Sequence, residues 1–229
     1  MPYTKRIICL ANSYKPPQGR CIAGIEVLGN GNYGEWIRPV SARPTAEVSY
    51  AEYRYLNGGM PQLLDVIDVP LLNAAPHNHQ SENHVIDATA GWAKVGELPW
   101  EDVEKLQERP ESVWINSDHT QTGVYDCMSQ GEAGTLESSL LLVKPENFMV
   151  EVGTNPWTGK KTYRGNFDYR GTHHSLSLTD PVARNVFSAK DEGEYPLADV
   201  YLCLSVTEPY QGDGRCHKLV AAIVGNPPL

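Results

Sequence analysis

Three of the seven histidines of this 229-residue chain fall within eight residues, as His77, His79 and His84, with Glu82 between them. Imidazoles two residues apart on an extended chain project to one side, and with a carboxylate such a set can hold zinc or another divalent ion. The spacing matches no strong metal signature, so the competing reading is a polar loop. His77, Gln80 and Asn83 from the same stretch can instead line a ligand pocket.

Two other groups of residues carry the chemistry of nucleic-acid contacts. Near the N-terminus, Asn12, Ser13, Lys15, Arg20, Trp36, Arg38 and Arg43 bring cations, amide and hydroxyl donors and an indole into one stretch, the mix that phosphate contacts and base stacking require. Alternation along an extended segment puts Trp36 and Arg38 on one face, with Glu35 and Ile37 on the other. In the C-terminal half, Lys160, Lys161, Tyr163, Arg164, Phe167, Tyr169, Arg170, His173 and His174 interleave positive charge with aromatics. Thr158-Gly159 and Arg170-Gly171 read as hairpin turns that display this stretch on a paired ribbon. The sequence expectation is a nucleic-acid surface of Lys15, Arg20, Trp36, Arg38, Arg43, Lys161, Tyr163, Arg164, Tyr169, Arg170 and His173. The bland alternatives are a core Trp36 with Arg38 extending past its edge, and a hairpin whose cations discourage edge pairing.

The five cysteines form no CxxC pair. Cys9, Cys21, Cys203 and Cys216 lie within strand-like runs rather than at tight knuckles, so they read as buried thiols and not as a zinc site. Cys127 has Asp126 beside it, which raises a thiol pKa and argues against a nucleophile. No Walker loop, GxGxxG, GxSxG or HExxH occurs. No cofactor is expected, and an enzymatic role is the less favoured reading.

The elements that must position these residues are strands. Apolar β-formers bounded by turn residues recur at 6–11, 20–28, 35–40, 64–72, 92–96, 138–143, 147–152, 160–169, 174–179, 199–206 and 216–224. Ser49 and Glu52 have capping-box spacing for a short helix, and Pro99 followed by acids starts a second one that Pro110 ends. The polar, glycine-bearing stretch 116–134 reads as a connection between residues 1–115 and 135–229, with sharing of strands between the halves left open. Ile8-Cys9-Leu10 leading to Gly19-Arg20-Cys21 is echoed by Leu202-Cys203-Leu204 leading to Gly214-Arg215-Cys216, which reads as two terminal hairpins, adjacent in space or duplicated.

A net charge of −9 argues against strong sequence-independent binding to DNA or RNA, so any such binding uses a local patch. The absence of a signal-like apolar start or a long apolar run, and the odd cysteine count, point to a cytoplasmic protein without a membrane partner.

Several phrases carry a family resemblance: Ala11-Asn12-Ser13, Gly19-Arg20-Cys21-Ile22-Ala23-Gly24, Gly34-Glu35-Trp36-Ile37-Arg38-Pro39-Val40-Ser41, Asp65-Val66-Ile67-Asp68-Val69-Pro70-Leu71, Gln80-Ser81-Glu82-Asn83, Leu178-Thr179-Asp180-Pro181 and Cys216-His217-Lys218-Leu219-Val220-Ala221-Ala222. They make the chain similar to the dual OB-fold-containing domain family of bacteria. The resemblance implies a mainly β protein of two OB-like small β-barrels with a few short helices. It also implies a module that binds single-stranded DNA, RNA or a nucleotide. The alternatives are an enzyme acting on a nucleotide or modified base through the His77–His84 loop, and an adaptor with a protein partner.

Overall fold

The computed structural model describes residues 1–15 and 18–229. The chain divides into two compact units, Met1–Leu106 and Gln107–Leu229. Among the described residues each strand belongs to one of two sheets, and no ladder joins them.

The first unit holds β1 (Tyr3–Lys15), β2 (Gly19–Val27), β3 (Tyr33–Val40), α1 (Tyr50–Tyr53), β4 (Asp65–Ala74), β5 (Asn83–Ile86) and β6 (Ala93–Glu97). Its strands run in the order β1-β2-β3-β5-β4, and β4 pairs back with β1, which closes a five-stranded barrel. The long first strand serves both neighbours. Tyr3–Ile8 pair with β4 and Ile7–Lys15 with β2, and a bulge between Cys9 and Ala11 makes the bend. The pair β3–β5 is parallel. Ile67, Val69 and Leu71 alternate into the interior with Ile7, Cys9, Ile22, Ile37 and Trp92, the period-2 pattern of a half-buried strand. The Ser49–Glu52 capping box forms as expected, with Ser49 N donating to Glu52 at 2.7 Å. The helix expected after Pro99 forms as a 3-10 helix, Trp100–Leu106.

The second unit holds β7 (Cys127–Met128), α2 (Gln130–Ala133), β8 (Leu140–Val143), β9 (Glu146–Thr154), β10 (Lys161–Tyr169), β11 (Thr172–Leu178), α3 (Pro181–Ser188), β12 (Gly193–Pro196), β13 (Val200–Val206) and β14 (Cys216–Gly225). The order is β9-β10-β11-β14-β13-β8, with β12 outside β9. β8 and β9 are one strand interrupted at Lys144-Pro145, so the chain again begins a barrel by pairing with the second and the fourth strands. β11–β14 is parallel, as β3–β5 is in the first unit. Asp180 caps α3 by accepting from Val182 N and Ala183 N, and its other oxygen accepts from Ile223 N of β14 at 3.0 Å. That carboxylate ties the helix to the barrel.

The sequence echo has a different meaning in this topology. β1–β2 joins the first and second strands of its barrel, whereas β13–β14 joins the fourth and fifth of its own. The hairpins look alike because each is a curved apolar pair, not because they are equivalent parts of a repeat. Among the described residues no helix is long and apolar enough to cross a membrane.

Candidate functional site

In the first unit the basic set is divided between the interior and local ion pairs. Trp36 is 7% exposed and Arg38 2%. Arg38 pairs with Glu82 at 2.9 Å, and its backbone N–H donates to Glu82 O. Neither presents an open surface, which corrects the stacking expectation for Trp36. Arg43 is open, but it lies between Glu52 at 2.7 Å and Glu47 at 3.6 Å, so its charge is largely offset. Lys15 and Arg20 are half-buried beside the first hairpin loop.

The histidine loop connects β4 to β5. His77 and Gln80 close it with two backbone hydrogen bonds. His77 is exposed and His79 buried, Glu82 faces Arg38, and His84 Nδ1 is hydrogen-bonded to the Tyr3 hydroxyl. Burial, and then Lys5, lower the His84 pKa. Glu82 and His84 are held by different partners, and the set is not placed to hold a metal ion. Asn83 and Gln80 are buried and bonded to each other, Asn83 Nδ2 to Gln80 Oε1 at 3.3 Å.

In the second unit, alternation decides the fate of each candidate. Tyr169 is buried in the barrel core and donates its hydroxyl to Pro110 O at 2.9 Å, which corrects its reading as a stacking surface. Lys161 is exposed but spends its ammonium on the Ser188 and Lys190 carbonyls at the end of α3. Tyr163 is half-buried under the Arg184 guanidinium, 5.3 Å from its ring centroid. Arg170 and His173 stay open at the Arg170-Gly171 turn, where both turn residues have positive φ. His173 is paired with Asp168 at 2.9 Å. Hydrogen bonds from Asn147 and His173 hold Asp168 below the usual carboxylate range.

Arg164 is 9% exposed and makes the densest polar contacts of this barrel. Its nitrogens reach Asp126 at 2.8 Å, Ser175 Oγ at 2.9 Å, Ser175 O, and the Thr122 and Ser177 hydroxyls at 3.4 Å. Burial pushes the Asp126 carboxyl up, but hydrogen bonds from Thr120 and Arg164 outweigh it and the net shift is downward.

The two most exposed aromatics among the described residues were not singled out from the sequence. Trp157 is 68% exposed in the β9–β10 loop, and Tyr210 is 63% exposed in the β13–β14 loop. Hydrogen bonds close the first loop: Asn155 Oδ1 accepts from Trp157 N and Thr158 N, Asn155 N donates to Lys160 O, and Gly159 takes φ +65°. The exposed Lys160 stands beside the indole in sequence. In the second loop Tyr210 N donates to Arg215 O, and the Tyr210 ring meets His217 edge-on at 5.9 Å. Arg215 there bridges Asp118 and Asp213. β10 runs antiparallel and β14 parallel to β11, so these loops stand at opposite ends of the β10–β11 ribbon. The signal for Trp157 was an indole inside an Asn-Pro-Trp-Thr-Gly turn, where no core contact is available.

Inside the same barrel Lys218 and His174 are fully buried. Lys218 donates to Val113 O at 2.9 Å and Asn116 Oδ1 at 2.8 Å, and burial lowers its pKa to about 8. His174 stacks on Phe167 at 5.1 Å, and burial, then Lys218, lower its pKa to about 4. All five cysteines are free. Burial raises the pKa of Cys127 to about 11 and pushes Cys9 higher still, so neither is poised as a nucleophile. Among the described residues no group of three or more His, Cys, Asp or Glu side chains is placed to hold a metal ion.

Two five-stranded barrels, each with a parallel third and fifth strand and a helix between the third and fourth, define a protein built from OB folds. In that class the outer side of the second and third strands and the loops joining strands one to two and four to five take oligonucleotides or oligosaccharides. Residues 5–223 match the dual OB-containing domain, and the chain belongs to that family. No curated protein and no solved structure matches it.

Proposed function

We propose that the protein binds single-stranded nucleic acid, chiefly through the second barrel, with Trp157 and Tyr210 as base-stacking platforms and Lys160, Arg170 and His173 as contacts to the backbone. The observation that carries this reading is Trp157. An indole exposed on a hydrogen-bonded turn offers its face to a base without giving up core packing, and the fixed backbone lowers the entropy lost on stacking. It lies in the loop between the first and second strands, one of those by which OB barrels hold oligonucleotides. Stacking on an aromatic ring tolerates any base, so the reading is of strand binding without strong sequence preference. The five free thiols support a reducing, cytoplasmic setting.

The electrostatics set the expected strength. With a net charge of −9 the protein repels a polyanion at long range, and only a few local cations contact phosphate. Fluorescence anisotropy of a labelled single-stranded oligonucleotide, titrated at several salt concentrations, tests the reading. The expected result is measurable binding at low salt with a shallow slope of log K against log salt, corresponding to about two to four phosphate contacts. Absence of binding to both DNA and RNA at low salt contradicts it.

A further inference from the structure

The outer side of β10 and β11 is not open, because a strap of the same unit, residues 118–128, lies across it. Asp118 bridges Cys127 at the base of the strap. Val124 exchanges two backbone hydrogen bonds with Ser175 of β11, at 3.2 and 3.1 Å. Cys127 and Met128 pair with His217 and Cys216 of β14. The strap therefore fills the seam between β11 and β14, which pair directly only at Ser177/Leu219 and Leu178/Val220.

From that seam the strap reaches onto the ribbon. Leu176 and Leu178 point into the core, so Ser175 and Ser177 point outward, and the Arg164 guanidinium lies over them. Asp126 closes on Arg164, held in place by Thr120 N and Thr120 Oγ1, each at 2.7 Å. Gly123 passes so close that a Cβ there would strike both the Asp126 carboxylate and the Arg164 guanidinium. A guanidinium flanked by two hydroxyls is the donor set that a phosphodiester takes, and a carboxylate is the group on the chain that best imitates it.

We propose that Arg164, Ser175 and Ser177 form a phosphodiester subsite on the second barrel, that Asp126 occupies this subsite as an internal competitor, and that a bound strand displaces the strap. This rests on the reading of the second barrel as a single-strand-binding module. The strap is held to the ribbon by the two-bond Val124–Ser175 bridge, by Asp126 and Thr122 on Arg164 and by the Tyr125–His174 ring contact, and these are the contacts a bound strand exchanges for its own. The strap also makes the protein selective by cost, because a lone phosphate displaces Asp126 poorly while a strand stacked on Trp157 adds the free energy needed.

The test uses the full chain and a 15-nucleotide oligothymidylate. Binding is measured for the wild type, Asp126→Asn and Val124→Pro, and amide hydrogen exchange is followed at Val124 and Ser175 of the wild type with and without the oligonucleotide. The expected result is at least fivefold tighter binding by both variants, together with faster exchange at both amides when the oligonucleotide is added. Wild-type binding with no gain in either variant and unchanged exchange overturns the masked subsite and leaves the proposed function standing. If neither the wild type nor the variants bind, both fall. The exchange experiment needs no variant, so it decides the question even if Asp126→Asn does not fold.

Discussion

Lys218 Nζ donates to the main-chain carbonyl of Val113 at 2.9 Å, across 105 residues of sequence. The contact pins the chain that enters the second unit to the last strand of its barrel, and Asn116 supplies the second acceptor. A buried lysine whose folded pKa is about 8 against an ordinary value of 10.5 loses stability as pH falls through that interval. Its contribution is fully present above pH 10.5 and gone below about 8. The stability of the wild type relative to Lys218→Met is therefore expected to rise between pH 8 and 10.5 in urea titrations. Comparison with the variant removes the opposite trend from the buried thiols of Cys9, Cys127 and Cys216, whose raised pKa values favour unfolding at alkaline pH.

His174 contributes to the acid limb, beside carboxylates such as Asp126 and Glu52 that folding also holds low. Its pKa falls from 6.5 to about 4 on folding, so its contribution is present above pH 6.5 and is lost as pH drops toward 4. Lys218, His173 and Asp168 are the charged groups that act on it, after burial. Replacement by Phe preserves the stack on Phe167 and removes the proton site. His174→Phe is expected to flatten the loss of thermal stability between pH 6.5 and 4, and an unchanged acid limb would contradict this assignment.

Arg38 with Glu82 and Arg6 with Asp68 make a matched comparison within one barrel. The first pair is buried, at 2% and 3% side-chain exposure, while Arg6 is 48% exposed. Glu82→Gln leaves a guanidinium without its counter-charge in the interior and is expected to cost about 3–5 kcal/mol. Asp68→Asn at the surface pair is expected to cost at most ~1 kcal/mol. Denaturant unfolding of the two variants checks the contrast.

Lys161 was read from the sequence as a nucleic-acid contact, and its position at the carboxyl end of α3 gives it a structural task. Lys161→Ala is expected to lose about 0.5–1 kcal/mol of stability and to raise amide exchange in the last turn of α3. Oligonucleotide affinity is expected to change less than twofold.

What was legible in the sequence were the local signals. The capping box at Ser49 and Glu52, the turns at Thr158-Gly159 and Arg170-Gly171, and the strand density all reflect interactions among neighbours in the chain. The side of a strand that ends up covered is a tertiary outcome. Alternation put Trp36 with Arg38, but it holds no information on what packs over each face, and Arg164 and Tyr169, expected on one surface, end on opposite sides of β10. Asp180-Pro181 fits a turn start as well as a capped helix start, and the Ile223 contact that ties α3 to the barrel lies 43 residues away. The strap was invisible for the same reason. Its polar, glycine-bearing residues look like a connection until β11 and β14 supply the partners that order it.

The central claim is that Trp157 stacks on a bound strand. Its most direct test is the affinity of Trp157→Ala for a single-stranded oligonucleotide at low salt, measured by anisotropy against the wild type and Lys161→Ala. The claim predicts a loss of roughly 5- to 100-fold for Trp157→Ala, the range expected for one stacked base, with Lys161→Ala near wild type. Equal affinity of Trp157→Ala and the wild type would contradict it.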